Sequence, residues 1–143
     1  MMIVHETSFK VNYSDTDQMG IVHHSNYVKY FENARWNAMD EFGLCYKNME
    51  LKGILMPVIS MKFNFIKPAF YDDLLTVKTM IHEMPKARMK FDYELYNQGG
   101  VLINTAEITL AFVEKKTLKA CPPPDYFTKS LQKLFNQNKI LIQ

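Results

Sequence analysis

Cysteine is scarce in this chain. Cys45 and Cys121 are the only two and lie far apart, which gives neither a disulfide framework nor a zinc-ligand pattern. Both are expected to be reduced packing residues. An excess of one charge is also lacking: seventeen Lys and Arg against fifteen Asp and Glu leave a net charge of +2. That is too little to draw nucleic acid or an anionic membrane as partner, and it leaves room for a small anionic ligand. No apolar run approaches the ~20 residues of a membrane span. The opening MMIVHETSF turns polar too early for a signal peptide, and no repeat, low-complexity tract or Gly/Ser-rich linker divides the chain. With 48% hydrophobic content over 143 residues there is material for one core, so a single cytoplasmic domain over 1–143 is expected. Nothing in the sequence requires a cofactor.

What is present is periodicity. Thr7, Phe9, Val11 and Tyr13 alternate with Ser8, Lys10 and Asn12, the period of a half-buried strand. After Ser25-Asn26, either of which can cap a helix, the pattern changes: Tyr27, Phe31, Ala34, Ala38 and Phe42 recur at spacings of three and four. Lys29, Glu32, Asn33, Asp40 and Glu41 fall on the other side, and Gly43 suits the residue just past the helix end. From Pro57 onward period two returns, predicting strands over 59–65, 75–81, 89–95 and 101–113, with Asn97-Gln98-Gly99-Gly100 as a hairpin connection. Leu118–Cys121 suggests a short fifth strand of this meander, and after Pro122-Pro123-Pro124 the spacing of Phe127, Leu131, Leu134 and Phe135 predicts a terminal helix. One long helix and a broad antiparallel sheet make an α+β domain whose helix lies across one sheet face. A chain this small leaves sheet edges and apolar surface to hide, so at least a homodimer is expected.

The stretch Tyr13-Ser14-Asp15-Thr16-Asp17-Gln18-Met19-Gly20-Ile21-Val22-His23-His24 carries two carboxylates and two imidazoles just before a helix start, where free N–H groups and the macrodipole favour negative charge. A nucleophile or base beside an oxyanion site is a minimal kit for acyl transfer. Asp15-Thr16-Asp17 with Gly20 also resembles the opening of a calcium loop, but Met19 and Asn26 fall where an oxygen ligand and a bidentate Glu are needed. No ligand spacing for a transition metal is present either. The bland alternative is that both aspartates satisfy backbone N–H groups in a turn while the histidines are solvated.

This segment, continued by Tyr30-Phe31-Glu32-Asn33-Ala34-Arg35, resembles the acyl-CoA thioesterases of the 4-hydroxybenzoyl-CoA thioesterase family, and the likeness runs from about Phe9 to Ala120. The resemblance implies a hotdog fold, a long helix wrapped by a curved antiparallel sheet. It also implies dimers joined into tetramers, active sites at the dimer interface and an acyl-CoA substrate. Position by position, Asp17 matches the catalytic carboxylate. His24 matches the motif histidine, and its N–H the group that polarises the thioester carbonyl. Tyr13 matches a supporting aromatic. Met19 and His23 depart from the family pattern, which bears on acyl preference. Lys86 and Arg88 fall where members often carry basic residues for CoA phosphates, although an ordinary solvated charge run reads the same. Met19, Met39, Met56 and Met61 are candidates for an adaptable acyl pocket or for core filling, and Glu32 and Arg35 for an ion pair on the helix.

The expected reaction is thioester hydrolysis with Asp17 as nucleophile or general base. Two competitors stand beside it. A dehydratase of 3-hydroxyacyl thioesters needs a catalytic His with an acidic partner on the central helix; His24 and Glu32 can be imagined so, but Asp17 then has no role. A non-catalytic acyl-CoA-binding module needs no turnover at all.

Overall fold

The computed structural model describes residues 2–137 and 140–142, the last three by their backbone alone. The elements are β1 (Ile3–Lys10), a 3₁₀ turn (Tyr13–Asp15), α1 (Asn26–Glu41), α2 (Tyr46–Leu51), β2 (Ile54–Leu55), β3 (Val58–Phe65), β4 (Leu74–Ile81), β5 (Arg88–Tyr96), β6 (Leu102–Ala111), β7 (Val113–Glu114), α3 (Asp125–Gln137) and β8 (Ile140–Ile142). The main sheet runs β3-β6-β5-β4-β1-β8, antiparallel except where β8 pairs with β1. β2 and β7 form a separate small ribbon.

The strands alternate as their sequences require. Leu75, Val77, Thr79 and Ile81 of β4 and Met89, Phe91, Tyr93 and Leu95 of β5 are buried on one face, and α1 lies against that face through Phe31, whose ring meets Tyr93 at 4.9 Å. Helix α1 buries Tyr27, Tyr30, Phe31, Ala34, Arg35, Ala38 and Met39. It ends where Gly43 adopts φ +77°, a left-handed conformation that frees the chain to turn away. Helix α3 packs Phe127, Leu131 and Phe135 into the core, with Phe127 edge-on to Phe112 at 5.2 Å.

Four expectations are corrected. The first strand covers Ile3–Lys10 rather than Thr7–Tyr13, because Asp15 draws the chain into a turn right after Val11. The expected fifth strand at Leu118–Cys121 is only a bridge from Ala120 to Val113, since Leu118 takes φ +57° and breaks extension. Arg35 does not pair with Glu32 among the described residues. It turns inward, 95% buried, and donates to the Tyr93 hydroxyl at 3.3 Å. The alternation in β3 does not translate into burial, because β3 is the sheet edge and Val58, Ile59, Met61 and Phe65 are all exposed.

Candidate active site

Residues 11–25 fold back on the 66–73 connection at one end of the sheet. Val11 donates to the Asp73 carbonyl at 3.0 Å, Val22 to that of Ala69 at 2.9 Å, and Ile21 bridges Phe70. Within this loop the two aspartates have opposite surroundings.

Asp15 is buried. Lys29 Nζ donates to its Oδ1 at 2.7 Å and the Tyr30 hydroxyl to its Oδ2 at 2.8 Å. Its carbonyl accepts from the His23 N–H at 2.9 Å and from Asn26 Nδ2 at 2.8 Å. Burial alone pushes the Asp15 carboxyl up, but the bonds from Lys29 and Tyr30 outweigh it and hold the group below the usual carboxylate range. Burial and the neighbouring Asp15 push the Tyr30 hydroxyl far above its ordinary range, so it stays a donor. Asp15 thus ties the loop to α1 through its side chain, and a backbone bond from Asn12 in the turn also helps to keep the carboxylate charged.

Asp17 is exposed. Its Oδ1 accepts the backbone N–H groups of Met19 at 2.8 Å and Ile21 at 3.2 Å, and its own N–H donates to the Ile21 carbonyl at 2.8 Å. Among the described residues Oδ2 has no partner. One oxygen is anchored and the other is left free of such bonds on an exposed residue.

His24 stands at the entrance to α1. Its carbonyl accepts the Tyr27 N–H at 3.3 Å, while its own N–H is unpaired among the described residues. No hydrogen bond joins its ring to Asp17 there; the ring stacks instead on His23, centroids 4.1 Å apart. Tyr13 sits at the rim with its ring edge-on to Tyr71 at 5.5 Å, and its carbonyl accepts the Thr16 hydroxyl at 2.7 Å, one residue before Asp17. Asp17, His24 and Tyr13 therefore share one loop system, and only backbone links them.

Lys86 and Arg88 lie elsewhere. They line the β4–β5 turn, at the end of the sheet where Arg88 faces Ala111. The nine residues of β5 separate that turn from the end bearing Asp17, roughly 25 Å at ordinary strand rise.

A cavity of about 150 Å³ opens between α1 and the far end of β3, lined by Glu32, Arg35, Trp36, Met39, Met56 and Phe91 among others. Burial pushes the Tyr93 hydroxyl behind it up to about 12, so it stays protonated. Of the four candidate methionines, Met39 and Met56 line this cavity, whereas Met19 and Met61 are exposed. Glu32 lines the cavity while His24 stacks on His23, so the pair a dehydratase requires is not assembled within the subunit. No cluster of metal-ligating side chains occurs among the described residues. Sequence reasoning missed Lys29 and Tyr30 as the holders of Asp15. Periodicity alone puts Lys29 on the solvent side of α1, and its side chain is half exposed, its stem reaching back to the carboxylate.

Residues 11–131 match a family model described as the thioesterase-like superfamily. A Bacillus subtilis protein provisionally named acyl-CoA thioesterase YneP is 34% identical over 118 residues, 82% of this chain and 86% of its own length. The acyl-CoA thioesterase YbgC of Helicobacter pylori is 31% identical over 130 residues, 85% of this chain and 96% of its own. Among solved structures, a DHNA-CoA thioesterase from Staphylococcus aureus superposes with a TM-score of 0.87 at 32% identity, covering 98% of each chain.

Proposed function

The chain belongs to the thioesterase-like superfamily and is an acyl-CoA thioesterase of the hotdog fold, and on that premise we propose that the Asp17 carboxylate carries the hydrolysis. The observation that supports this most is the asymmetry of that carboxylate: two backbone N–H groups hold Oδ1, while Oδ2 has no partner among the described residues. The thioester oxygen accepts the His24 N–H, unpaired among the described residues, at the start of α1, where the helix dipole stabilises the negative charge that develops there. Oδ2 then either attacks the carbonyl carbon, expelling CoA thiolate and leaving a mixed anhydride that water cleaves, or takes a proton from the attacking water. Both routes end in free acid and CoA, with a proton delivered to the thiolate. The His24 ring is the second polar group, and Tyr13 supports the loop.

The working unit is a dimer or a dimer of dimers, each subunit one domain. An exposed edge strand bearing Val58, Ile59, Met61 and Phe65 supports this, since such an edge invites pairing with a copy of itself. Two-fold antiparallel pairing of β3 would bring one subunit's β4–β5 turn alongside its partner's catalytic loop. The coenzyme phosphates then meet the partner's Lys86 and the partner's Arg88. Two unpaired cysteines fit a cytoplasmic location.

The test is Asp17→Asn, which keeps the side chain's shape and removes its charge. kcat is expected to fall by roughly two to four orders of magnitude, with little change in binding of a non-hydrolysable acyl-CoA analogue. A folded variant keeping more than about a tenth of the wild-type kcat lies outside that range and defeats the assignment.

A further inference from the structure

His23 is absent from the chemistry just described, yet its ring is held more firmly than that of any other imidazole in the loop. Its Nδ1 accepts the backbone N–H of Ser25 at 3.2 Å and lies 2.8 Å from the Ser25 hydroxyl. A backbone N–H can only donate, so Nδ1 keeps its lone pair and the ring proton sits on Nε2. Ser25 occupies the cap position of α1 but makes no side-chain cap bond; its hydroxyl is turned to His23 instead. The main-chain N–H of His23 is in turn tied to the buried Asp15 segment at 2.9 Å. Against this clamped ring lies the His24 ring, 4.1 Å away and tilted by 31°. No hydrogen bond holds the His24 ring among the described residues, so the stack is its only ring contact in the loop.

We propose that His23 is a positioning residue for the thioesterase reaction: clamped by Ser25, it acts as a flat platform that fixes the orientation of the His24 ring. The proposal rests on the reading of His24 as the second polar group. A side chain that must meet a reacting group gains from having its orientation set before substrate arrives, because small misplacements carry large rate penalties. The platform needs a planar ring rather than a titrating one, which separates this role from acid–base participation by His23 itself.

The experiment is a double-mutant cycle with steady-state kinetics on an acyl-CoA substrate. His23→Ala is expected to lower kcat roughly tenfold while leaving KM nearly unchanged. His23→Phe, which restores a flat ring without ionisable nitrogens, is expected to recover most of that loss. In a His24→Asn background, His23→Ala is expected to cost nothing further. Proton NMR of the His24 ring gives a readout independent of turnover: its resonances lose the ring-current shift in His23→Ala and keep one in His23→Phe, while the amides of Met19 and Ile21 stay put. Full kcat in His23→Ala overturns the platform, and so does an equal loss in the His24→Asn background. Failure of His23→Phe to recover activity overturns it as well. If His24→Asn itself turns over at the wild-type rate, the role of His24 falls and the platform with it. If His24→Asn is impaired but His23→Ala is not, only the platform falls.

Discussion

His5 shows how far a single residue can depart from its surroundings. It is fully enclosed on the α1 side of β1, edge-on to Phe42 at 6.2 Å, and among the described residues neither ring nitrogen has a hydrogen-bond partner. Thr79, facing it across the β1–β4 pair, has an equally sealed hydroxyl. Loss of solvent pushes the His5 pKa below its ordinary 6.5, against the smaller upward pull of Glu41 and Glu6. A depressed pKa on a base means that the unfolded chain takes up a proton below 6.5 that the folded chain refuses. Stability from this group is therefore complete above that value and declines as pH falls from it towards the folded pKa. His5→Leu, of similar bulk, is expected to be at least as stable at pH 7 and to lose most of the stability difference between neutral and mildly acidic buffer. Urea midpoints at the two pH values measure this, and an undiminished acid drop in the variant removes His5 as its source. No periodicity in the sequence announced this burial, because His5 precedes the alternation from Thr7 to Tyr13 and a histidine reads as polar. The two aspartates were likewise indistinguishable from composition. Which of them is buried is decided by Lys29 and Tyr30, fourteen and fifteen residues further on.

Among the elements, the short turn carrying Asp17 is set by one glycine. Gly20 takes φ +75° and donates its N–H to the Asp17 carbonyl at 3.0 Å, closing the turn that aims Met19 and Ile21 at the carboxylate. An added Cβ would meet nothing within 4 Å, so the cost of Gly20→Ala is conformational alone, about 1–2 kcal/mol for a left-handed non-glycine residue. The turn is expected to relax rather than the core to unfold. Calorimetry should therefore give a near-normal melting temperature while kcat drops at least several-fold; normal activity in the variant would mean that Asp17 does not depend on this turn. Helix α1 was readable because Tyr27, Phe31, Ala34 and Ala38 obey its period, and β4 to β6 because their inward residues are apolar at most second positions, Thr79 and Asn104 being the buried polar exceptions. Helix α2 and the β2–β7 ribbon were not, since six and two residues are too few to show a period. The alternation of β3 was correctly read as a strand. Its exposure could not be, because position within a sheet is a property of long-range pairing rather than of local pattern.

At the scale of the whole molecule, the separation of Asp17 from Lys86 and Arg88 becomes an argument about assembly. Within one subunit they lie at opposite ends of the sheet, with the length of β5 between them. A single acyl-CoA held by both sets therefore has to draw them from different subunits, which a two-fold about β3 allows. That arrangement makes a prediction no single-chain site shares. Asp17→Asn lacks the proposed catalytic group, and Lys86→Ala/Arg88→Ala lacks the proposed phosphate contacts, so each homodimer is expected to have a low kcat/KM. In a heterodimer of the two variants, one site collects both lesions and the other is intact. Mixing the variants in equal amounts under conditions of subunit exchange makes about half the dimers heterodimeric, so activity should rise to about a quarter of wild type. Lys86 and Arg88 acting on their own subunit's site would leave the mixture at the mean of its components. Ile59→Lys on β3, which adds charge at the shared edge, is expected to abolish both the dimer and the recovery, as seen by sedimentation and by the same mixing assay. Recovery that survives in monomeric Ile59→Lys protein would rule out the shared site.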